Sequence, residues 1–315
     1  MPAGNARLLR GCMTISLTTA DAGSSFDRLM VELRPKLHRY CARMTGTVID
    51  GEDVLQEALA NAVEAFPSAG TINDVEAWLF RIAHNATLDF LRRRARQNAT
   101  FSDQDPDMII DPTSVADNRY VVAASLRTFM RLPVAQRSSV ILKDVLGYTL
   151  EEVGGMMGTT IPAVKAALHR GRTRLQELTR EPEDLPPLVL EEPECSRLAA
   201  YIDRFNARDF DAIRDMLTEE VRLELVNRKR MSGRSEVRGY FRHYERLQDW
   251  QLDPGFVDRR PAMLVRDPRV LSPAPAYFIL LEWAGSHVAC IRDFRFAAYA
   301  ALEAEFLPAG AASGT

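Results

Sequence analysis

The sequence predicts a multidomain protein with two all-α domains followed by one α+β domain. Between residues 26 and 180, apolar residues recur mainly at helical spacing, with no alternating strand-like runs. After Cys195 the pattern changes to short helices and alternating segments such as Val221–Leu225. Later apolar runs, at 262–265, 276–283 and 287–291, are typical of strands, and we expect them to form one antiparallel sheet.

Two polar segments containing prolines separate these regions and set the predicted boundaries. The predicted order is a disordered tail (1–25), a helical domain (26–97), a linker (98–118), a second helical domain (119–180), an acidic proline-rich linker (181–194), the α+β domain (195–308) and a tail (309–315). Fully extended, residues 97–118 can span about 70 Å. Two helical turns of DNA, at about 34–36 Å each, cover the same distance.

The composition is that of a soluble globular protein, with 46% hydrophobic and 26% charged residues among 315, and we expect it in the cytoplasm. There is no apolar run long enough for a transmembrane helix, and we expect no signal peptide. The four cysteines lack a Cys-x-x-Cys spacing and the five histidines form no close pair. We therefore expect reduced thiols, no metal site and no cofactor.

Charge is sorted along the chain, although the net charge is only −3. One basic cluster comprises Arg92, Arg93, Arg94 and Arg96, and a second comprises Lys165, His169, Arg170, Arg172 and Arg174. Acidic residues gather at 50–57 and 181–194. Such clustering is what a DNA-binding surface requires, and an average charge conceals it.

Two consecutive helices of the first domain carry different polar faces. The helix over 53–66 presents acidic and amide groups opposite its apolar stripe: Asp53, Gln56, Glu57 and Glu64. The next helix presents a row spaced three or four residues apart: Trp78, Arg81, Asn85, Asp89 and Arg92. Aromatic, basic and amide side chains on one face can stack on unpaired bases and neutralise phosphates.

The second domain contains a helix-turn-helix pattern. Thr149 and Glu152 form a capping box at a helix start. Gly154 permits close helix approach, and Gly158 permits the sharp turn. The following helix would present Thr160, Ala163, Lys165, His169 and Arg170 to DNA, with Arg172 and Arg174 extending towards the backbone. The adjacent Gly154 and Gly155 would soften the first helix.

The segments 53–59 and 77–93 resemble region 2 of the extracytoplasmic-function sigma factors. This resemblance implies that Asp53, Gln56 and Glu57 bind the β′ clamp helices of RNA polymerase. It also implies that the second helix holds the melted −10 promoter element through Trp78, Arg81, Asn85, Arg92 and Arg93.

The segments 132–137, 147–153 and 163–172 resemble sigma region 4. That region binds the −35 element and the flap of the β subunit, which implies −35 contacts by Thr160, Ala163, Lys165, His169, Arg170 and Arg172. One departure is Gly154-Gly155, where the family usually has helix-forming residues.

Residues 205–213, Gly233 and 291–295 resemble the cone-shaped SnoaL-like fold. Some members of that family are enzymes that use Asp and His, and His287 and Asp293 are the candidate pair here. We expect no enzymatic activity. The resemblance instead implies a regulatory domain that acts in place of a separate anti-sigma protein, with an unknown small ligand as an additional partner.

Two other classes of protein remain alternatives. A SnoaL-like enzyme with an attached DNA-binding module predicts turnover by the C-terminal domain without polymerase. A helix-turn-helix repressor or activator predicts duplex binding without polymerase, but it leaves the Trp78 face and the acidic helix unexplained.

Overall fold

The computed structural model describes residues 19–98, 121, 124–181, 188, 192–272 and 274–309. The chain divides into two units, Met1–Glu181 and Pro182–Thr315. The predictions for most of both linkers and for residues 1–18 and 310–315 fall outside the described residues.

The first unit is helical throughout its described residues. Its α-helices are α1 (Thr19–Thr45), α2 (Val48–Ala65), α3 (Val75–Asn98), α4 (Leu126–Met130), α5 (Val134–Val140), α6 (Leu150–Met157) and α7 (Ile161–Leu178). A 3-10 turn (Phe66–Ser68) follows α2, and a π-helical turn (Ile141–Val145) extends α5. Helix α1 begins at Thr19, inside the segment predicted as a tail, where Ala20 and Ala22 favour helix.

Helices from both predicted helical domains share one hydrophobic core. Tyr40 and Phe80 from the first segment and Phe129 and Ile141 from the second are fully or almost fully buried in the same cluster. Arg137, also from the second segment, is buried and donates a hydrogen bond to the carbonyl oxygen of Met44 in α1. The two segments therefore pack against each other, and both lie within the first unit.

The second unit combines helices with a seven-stranded sheet. Its helices are α8 (Glu192–Asn206), α9 (Phe210–Asp215), α10 (Arg234–Arg246) and α11 (Ala298–Ala301). Its strands are β1 (Leu217–Leu225), β2 (Lys229–Ser232), β3 (Gln251–Val257), β4 (Arg260–Arg266), β5 (Tyr277–Ala284), β6 (His287–Asp293) and β7 (Phe306–Pro308). The α+β class is confirmed.

The three strands predicted from the late apolar runs, β4, β5 and β6, pair antiparallel as expected, but the sheet as a whole is mixed. The strand order is β2-β1-β6-β5-β4-β3-β7, and β1 pairs in parallel with β6. A parallel pair needs a long connection, and here strands β2 to β5 and α10 intervene between the two partners. The remaining pairs are antiparallel.

An aromatic cluster fills the space between the helices and this sheet. Phe205 of α8 lies with its ring centroid 5.1 Å from those of Tyr244 and Trp250. Edge-to-face pairs of this kind add to the free energy of area burial. Among the described residues, no helix has the length and apolar character needed to cross a membrane.

Candidate functional site

The acidic side of α2 is partly engaged in contacts within the unit. Asp53 is exposed, whereas Gln56 and Glu57 are partly buried. Gln56 Nε2 donates a hydrogen bond to Glu52 Oε1 over 3.3 Å. Glu57 accepts two hydrogen bonds from Arg93, of 3.2 and 2.8 Å. Of the three predicted polymerase-contacting residues, Asp53 is the most accessible.

The predicted promoter-facing row on α3 consists of exposed polar residues and a packed tryptophan. Trp78 is partly buried, and its ring centroid lies 6.0 Å from that of Phe26 and 6.4 Å from that of Phe66. One side of the indole therefore packs against the edge of the core. The exposed members of the row are Arg81, Asn85, Asp89 and Arg92, and the neighbouring Arg93 is also exposed.

Carboxylates already hold the arginines near the end of α3. Arg92 Nη1 lies 3.1 Å from Asp89 Oδ1, one turn earlier. Arg93 pairs with Glu57, and Arg94 pairs with the buried Asp50 over 3.1 Å. Within the described part of the chain, Arg81 and Asn85 make no side-chain hydrogen bond or ion pair. These two residues are therefore the most available to a ligand.

The helix-turn-helix has the local geometry that its sequence predicts. The Thr149 hydroxyl accepts a hydrogen bond from Glu152 N, and the Glu152 carboxylate accepts one from Thr149 N, which completes the capping box. Gly158 ends α6 with φ of +66°, in the left-handed region. A Cβ on Gly154 would lie 3.1 Å from the carbonyl oxygen of Thr159, so the close approach requires a small residue.

The predicted −35 residues on α7 differ in accessibility. Thr160, which caps the helix, is exposed, as are Ala163 and Lys165. His169 and Arg170 are partly buried. Among these predicted −35 residues, those in the first turns of α7 are therefore the most accessible.

Arg172 is engaged within the fold. Its guanidinium donates two hydrogen bonds to Asp144, of 2.8 and 2.6 Å, and the Asp144 side chain is only 2% exposed. This two-point contact anchors α7 to the π-helical turn and raises the pKa of Arg172.

The two candidate promoter-binding faces are neighbours in this unit. Tyr148, which precedes α6, packs edge-on against Phe80 of α3 with 5.1 Å between ring centroids, and its hydroxyl donates to Glu76. The Arg81 guanidinium lies 3.6 Å from the position of a Cβ on Gly158. The helix-turn-helix therefore packs directly on α3.

A buried polar cluster that the sequence reasoning missed joins the same two segments. The Tyr40 hydroxyl lies 2.7 Å from His84 Nδ1 and 2.9 Å from the Ser138 hydroxyl. Burial lowers the pKa of His84 to about 4 and raises that of Tyr40. Neutral His84 can accept the Tyr40 hydrogen, while the Tyr40 oxygen accepts the Ser138 hydrogen. His84 lies within the segment 77–93 that resembles sigma region 2, but its partners are distant in sequence.

In the second unit the structure separates the two residues considered for catalysis. His287 is exposed at the first position of β6, and Asp293 is fully buried at the last. Six residues of strand separate them, which corresponds to about 20 Å. Tyr244 Oη donates to Asp293 over 2.7 Å, and Arg295 N donates over 2.8 Å. Burial raises the pKa of Asp293 despite these bonds.

Three family models match the chain in the order of its segments. They are Sigma-70 region 2 over residues 29–97, Sigma-70 region 4 over residues 126–175 and the SnoaL-like domain over residues 198–263. The crystal structure of the extracytoplasmic function sigma factor SigJ of Mycobacterium tuberculosis is similar with a TM-score of 0.33 and 19% identity. That similarity covers 86% of this chain and 95% of SigJ.

Two sigma factors of Mycobacterium tuberculosis are similar in sequence. The ECF RNA polymerase sigma factor SigG is 31% identical over 218 residues, which cover 61% of this chain and 59% of SigG. The ECF RNA polymerase sigma factor SigM is 34% identical over 154 residues, which cover 49% of this chain and 76% of SigM. The chain therefore belongs to the ECF RNA polymerase sigma factors, with a SnoaL-like domain following its two sigma regions.

Proposed function

We propose that this protein binds the RNA polymerase core in the cytoplasm and directs it to promoters with −10 and −35 elements. The observation that supports this most strongly is the chain order of three features: the acidic α2, the exposed polar face of α3 and the exposed start of α7. Matches to both sigma regions and to named ECF sigma factors support the same activity. The protein acts as a binding factor and not as an enzyme.

We assign binding of the −10 element to Trp78, Arg81, Asn85, Arg92 and Arg93. Arg81 and Asn85 are exposed and make no ion pair or side-chain hydrogen bond with the described residues, so little within the unit must be broken for them to bind DNA. Arg92 and Arg93 would exchange a carboxylate for a phosphate. The free edge of Trp78 would offer a stacking surface for an unpaired base.

We assign binding of the −35 element to Thr160, Ala163, Lys165, His169, Arg170 and Arg172. Contacts by the exposed first turns of α7 would read base edges or hold phosphates. Arg172 would act mainly through the position of α7, because both sides of its guanidinium fork already bind Asp144. The β flap would contact this same helical segment.

We assign contact with the β′ clamp helices to Asp53, Gln56 and Glu57. Asp53 offers an exposed carboxylate. Glu57 must break its ion pair with Arg93 before its carboxylate can bind the clamp helices. Because Arg93 is also a −10 candidate, polymerase binding at Glu57 would free a cation for promoter DNA.

Binding both promoter elements requires the packed helical unit to open. Promoter elements two helical turns of DNA apart would lie roughly 70 Å from each other, whereas Tyr148 of the helix-turn-helix packs on Phe80 of α3. The contacts that would break include the Tyr40–Ser138 hydrogen bond. The segment 98–118 is long enough to span the opened arrangement.

The SnoaL-like unit is assigned a regulatory role, and its proposed extent is 195–308. The wide separation of His287 and Asp293 argues against their acting together in catalysis. The hydroxyl of Tyr201 is buried without a hydrogen-bond partner among the described residues, and the buried hydroxyl of Tyr240 lies beside the Asp293 carboxylate. These hydroxyls, near the buried Asp293, support a small polar ligand as a further partner.

In vitro transcription with purified core polymerase tests the main proposal. Genomic DNA is the template, and the 5′ ends of the RNA products are mapped. We expect defined start sites that depend on the added protein. Transcription from no native start site would contradict the proposal.

Three single variants then separate the assigned surfaces. Asp53→Ala should weaken core binding and leave DNA contacts intact, whereas Arg81→Ala and Arg170→Ala should weaken promoter binding and leave core affinity unchanged. Glu32→Ala, an exposed carboxylate on α1, is the matched control for Asp53→Ala. Equal loss of core affinity in both acidic variants would contradict the assignment of α2.

A further inference from the structure

Helix α10 of the SnoaL-like unit carries a row of exposed arginines that form no ion pair with the described residues. Arg238, Arg242 and Arg246 are exposed and follow each other at intervals of four residues. Within the part of the chain that the structure describes, none of the three forms an ion pair or a side-chain hydrogen bond. At 1.5 Å per residue, the row extends over about 12 Å.

The opposite face of α10 packs against the core of the unit. The arginines are therefore not needed to hold the helix in place. Val237, Tyr240, Phe241 and Tyr244 are buried against the core of the unit. Other arginines of the same helix and its surroundings do have structural partners: Arg234 binds Glu219 and Arg208 donates to the carbonyl oxygens at the end of α10. The row therefore differs from its neighbours in making no ion pair within the described part of the chain.

A glycine in the middle of the row supports close approach by a ligand. Gly239 is exposed, and a Cβ placed on it would meet no atom within 4 Å. Glycine costs a helix interior about 1 kcal/mol relative to alanine. Since packing within the unit does not require this glycine, it leaves a gap between Arg238 and Arg242 where a ligand can reach the helix surface.

The chemistry of the face favours nucleic acid over protein. Besides the three arginines, it offers Ser235, Gly239, His243 and one carboxylate, Glu245, and no apolar side chain. Protein interfaces usually have an aromatic or aliphatic core. A DNA strand instead presents one phosphate per 3.4 Å of helix axis, so a 12 Å row can face three or four of them.

We propose that this row, Arg238, Arg242 and Arg246, binds the sugar–phosphate backbone of promoter DNA without reading its sequence. The inference rests on the proposed sigma function, which brings DNA to the same chain. In the sequence, residues 182–191 join the two units and can span at most about 35 Å. A tether of this length gives even a weak phosphate-binding face a high effective concentration near the promoter.

The test is the salt dependence of promoter binding by the reconstituted holoenzyme. Binding of the full-length protein with core polymerase to a promoter from the start-site map is measured between 50 and 300 mM salt. Each phosphate neutralised contributes about 0.9 to the slope of log K against log salt. The triple variant R238Q/R242Q/R246Q should lower that slope by about 1 to 3, depending on how many arginines bind.

Two control variants keep the test specific. R238K/R242K/R246K retains the charges and should keep most of the slope. R222Q/R266Q/R269Q removes the same charge from exposed arginines that are paired with Glu282, Asp253 and Asp267, and it should leave the slope unchanged. An equal decrease in this second control would attribute the effect to net charge and overturn the inference.

Other outcomes distinguish failure of the inference from failure of the proposed function. An unchanged slope in the glutamine variant, with normal promoter binding by the wild type, overturns the inference alone. A decrease in core affinity with an unchanged slope would assign the row to an acidic protein surface and also overturn it. Absence of promoter binding by the wild-type holoenzyme would contradict the sigma function itself.

A single substitution at Gly239 tests the proposal independently, because protein stability and promoter affinity should change in opposite directions. Gly239→Gln should raise the melting temperature, because glutamine is the better helix former. The same change should weaken promoter binding by filling the gap in the row. Unchanged promoter affinity together with higher stability would show that the gap has no role and would contradict the proposed close approach.

Discussion

At the scale of single residues, the same type of side chain serves different purposes according to its partners. Arg172 and Arg81 both lie on predicted DNA-binding helices. Arg172 is held by two hydrogen bonds to the buried Asp144, whereas Arg81 is exposed and makes no hydrogen bond to the described residues. A basic residue in a binding motif therefore becomes a candidate contact only after its neighbours are known.

His84 allows a prediction about pH. Its pKa is about 4 in the folded protein and about 6.5 when unfolded, so between these values only the unfolded chain takes up the proton. Its contribution to stability is complete above pH 6.5 and is lost as the pH falls towards 4. The free energy of unfolding should decrease by about 3 kcal/mol over this window on account of His84.

Urea unfolding followed by helical circular dichroism at several pH values measures this effect. In His84→Asn the amide oxygen can still accept the Tyr40 hydrogen bond but does not titrate in this range. The difference between wild type and variant isolates His84 from the other titrating groups. Identical pH dependence of the two proteins would show that His84 does not carry the effect.

At the scale of elements, the helix-turn-helix illustrates how two adjacent glycines can have opposite roles. Gly154 is buried where α6 meets the turn, and a Cβ there would lie 3.1 Å from the Thr159 carbonyl oxygen. Gly155 is exposed, and a Cβ there would meet nothing within 4 Å. The two glycines are expected to destabilise α6, and only at Gly154 does packing require so small a residue.

Alanine substitutions at these two positions should change stability in opposite directions. Gly155→Ala should raise the free energy of unfolding by about 0.5–1 kcal/mol, because alanine favours helix and meets no atom. Gly154→Ala should lower it by about 1 kcal/mol or more, since the added methyl group crowds the turn. Urea unfolding measures both, and stabilisation by Gly154→Ala would contradict the close packing.

At the scale of the whole molecule, the two units have separate hydrophobic cores. The buried cluster of the first unit extends no further than Leu178, and that of the second begins at Leu198. Each core is therefore complete within its own unit. Removal of the second unit should leave the first folded, so an effect on transcription can be attributed to regulation.

Truncation after Glu181 tests the regulatory role of the SnoaL-like unit. This end point retains the Arg131–Glu181 ion pair. We expect altered output from a cognate promoter and, if the α10 row binds DNA, a shallower salt dependence of promoter affinity. Thermal unfolding of the truncated protein checks that the helical unit is intact. Unchanged transcription from an intact truncated protein would contradict a regulatory role.

The sequence by itself determined the features that depend on local order along the chain. The Thr149–Glu152 capping box, the turn at Gly158 and the α10 helix follow from residues within one or two helical turns of each other. The family resemblance was also visible, because its motifs are short and occur in a fixed order. These features are encoded by neighbouring residues, so periodicity and capping patterns are sufficient to find them.

Only the tertiary structure decided which distant residues meet. It placed His84 beside Tyr40 and Ser138, Arg93 beside Glu57, Arg172 beside Asp144, and β1 parallel to β6. It also left the α10 arginines exposed and without an ion pair to any described residue. Pairings of this kind join residues tens of positions apart, and they result from the packing of whole helices and strands, which no local pattern in one sequence specifies.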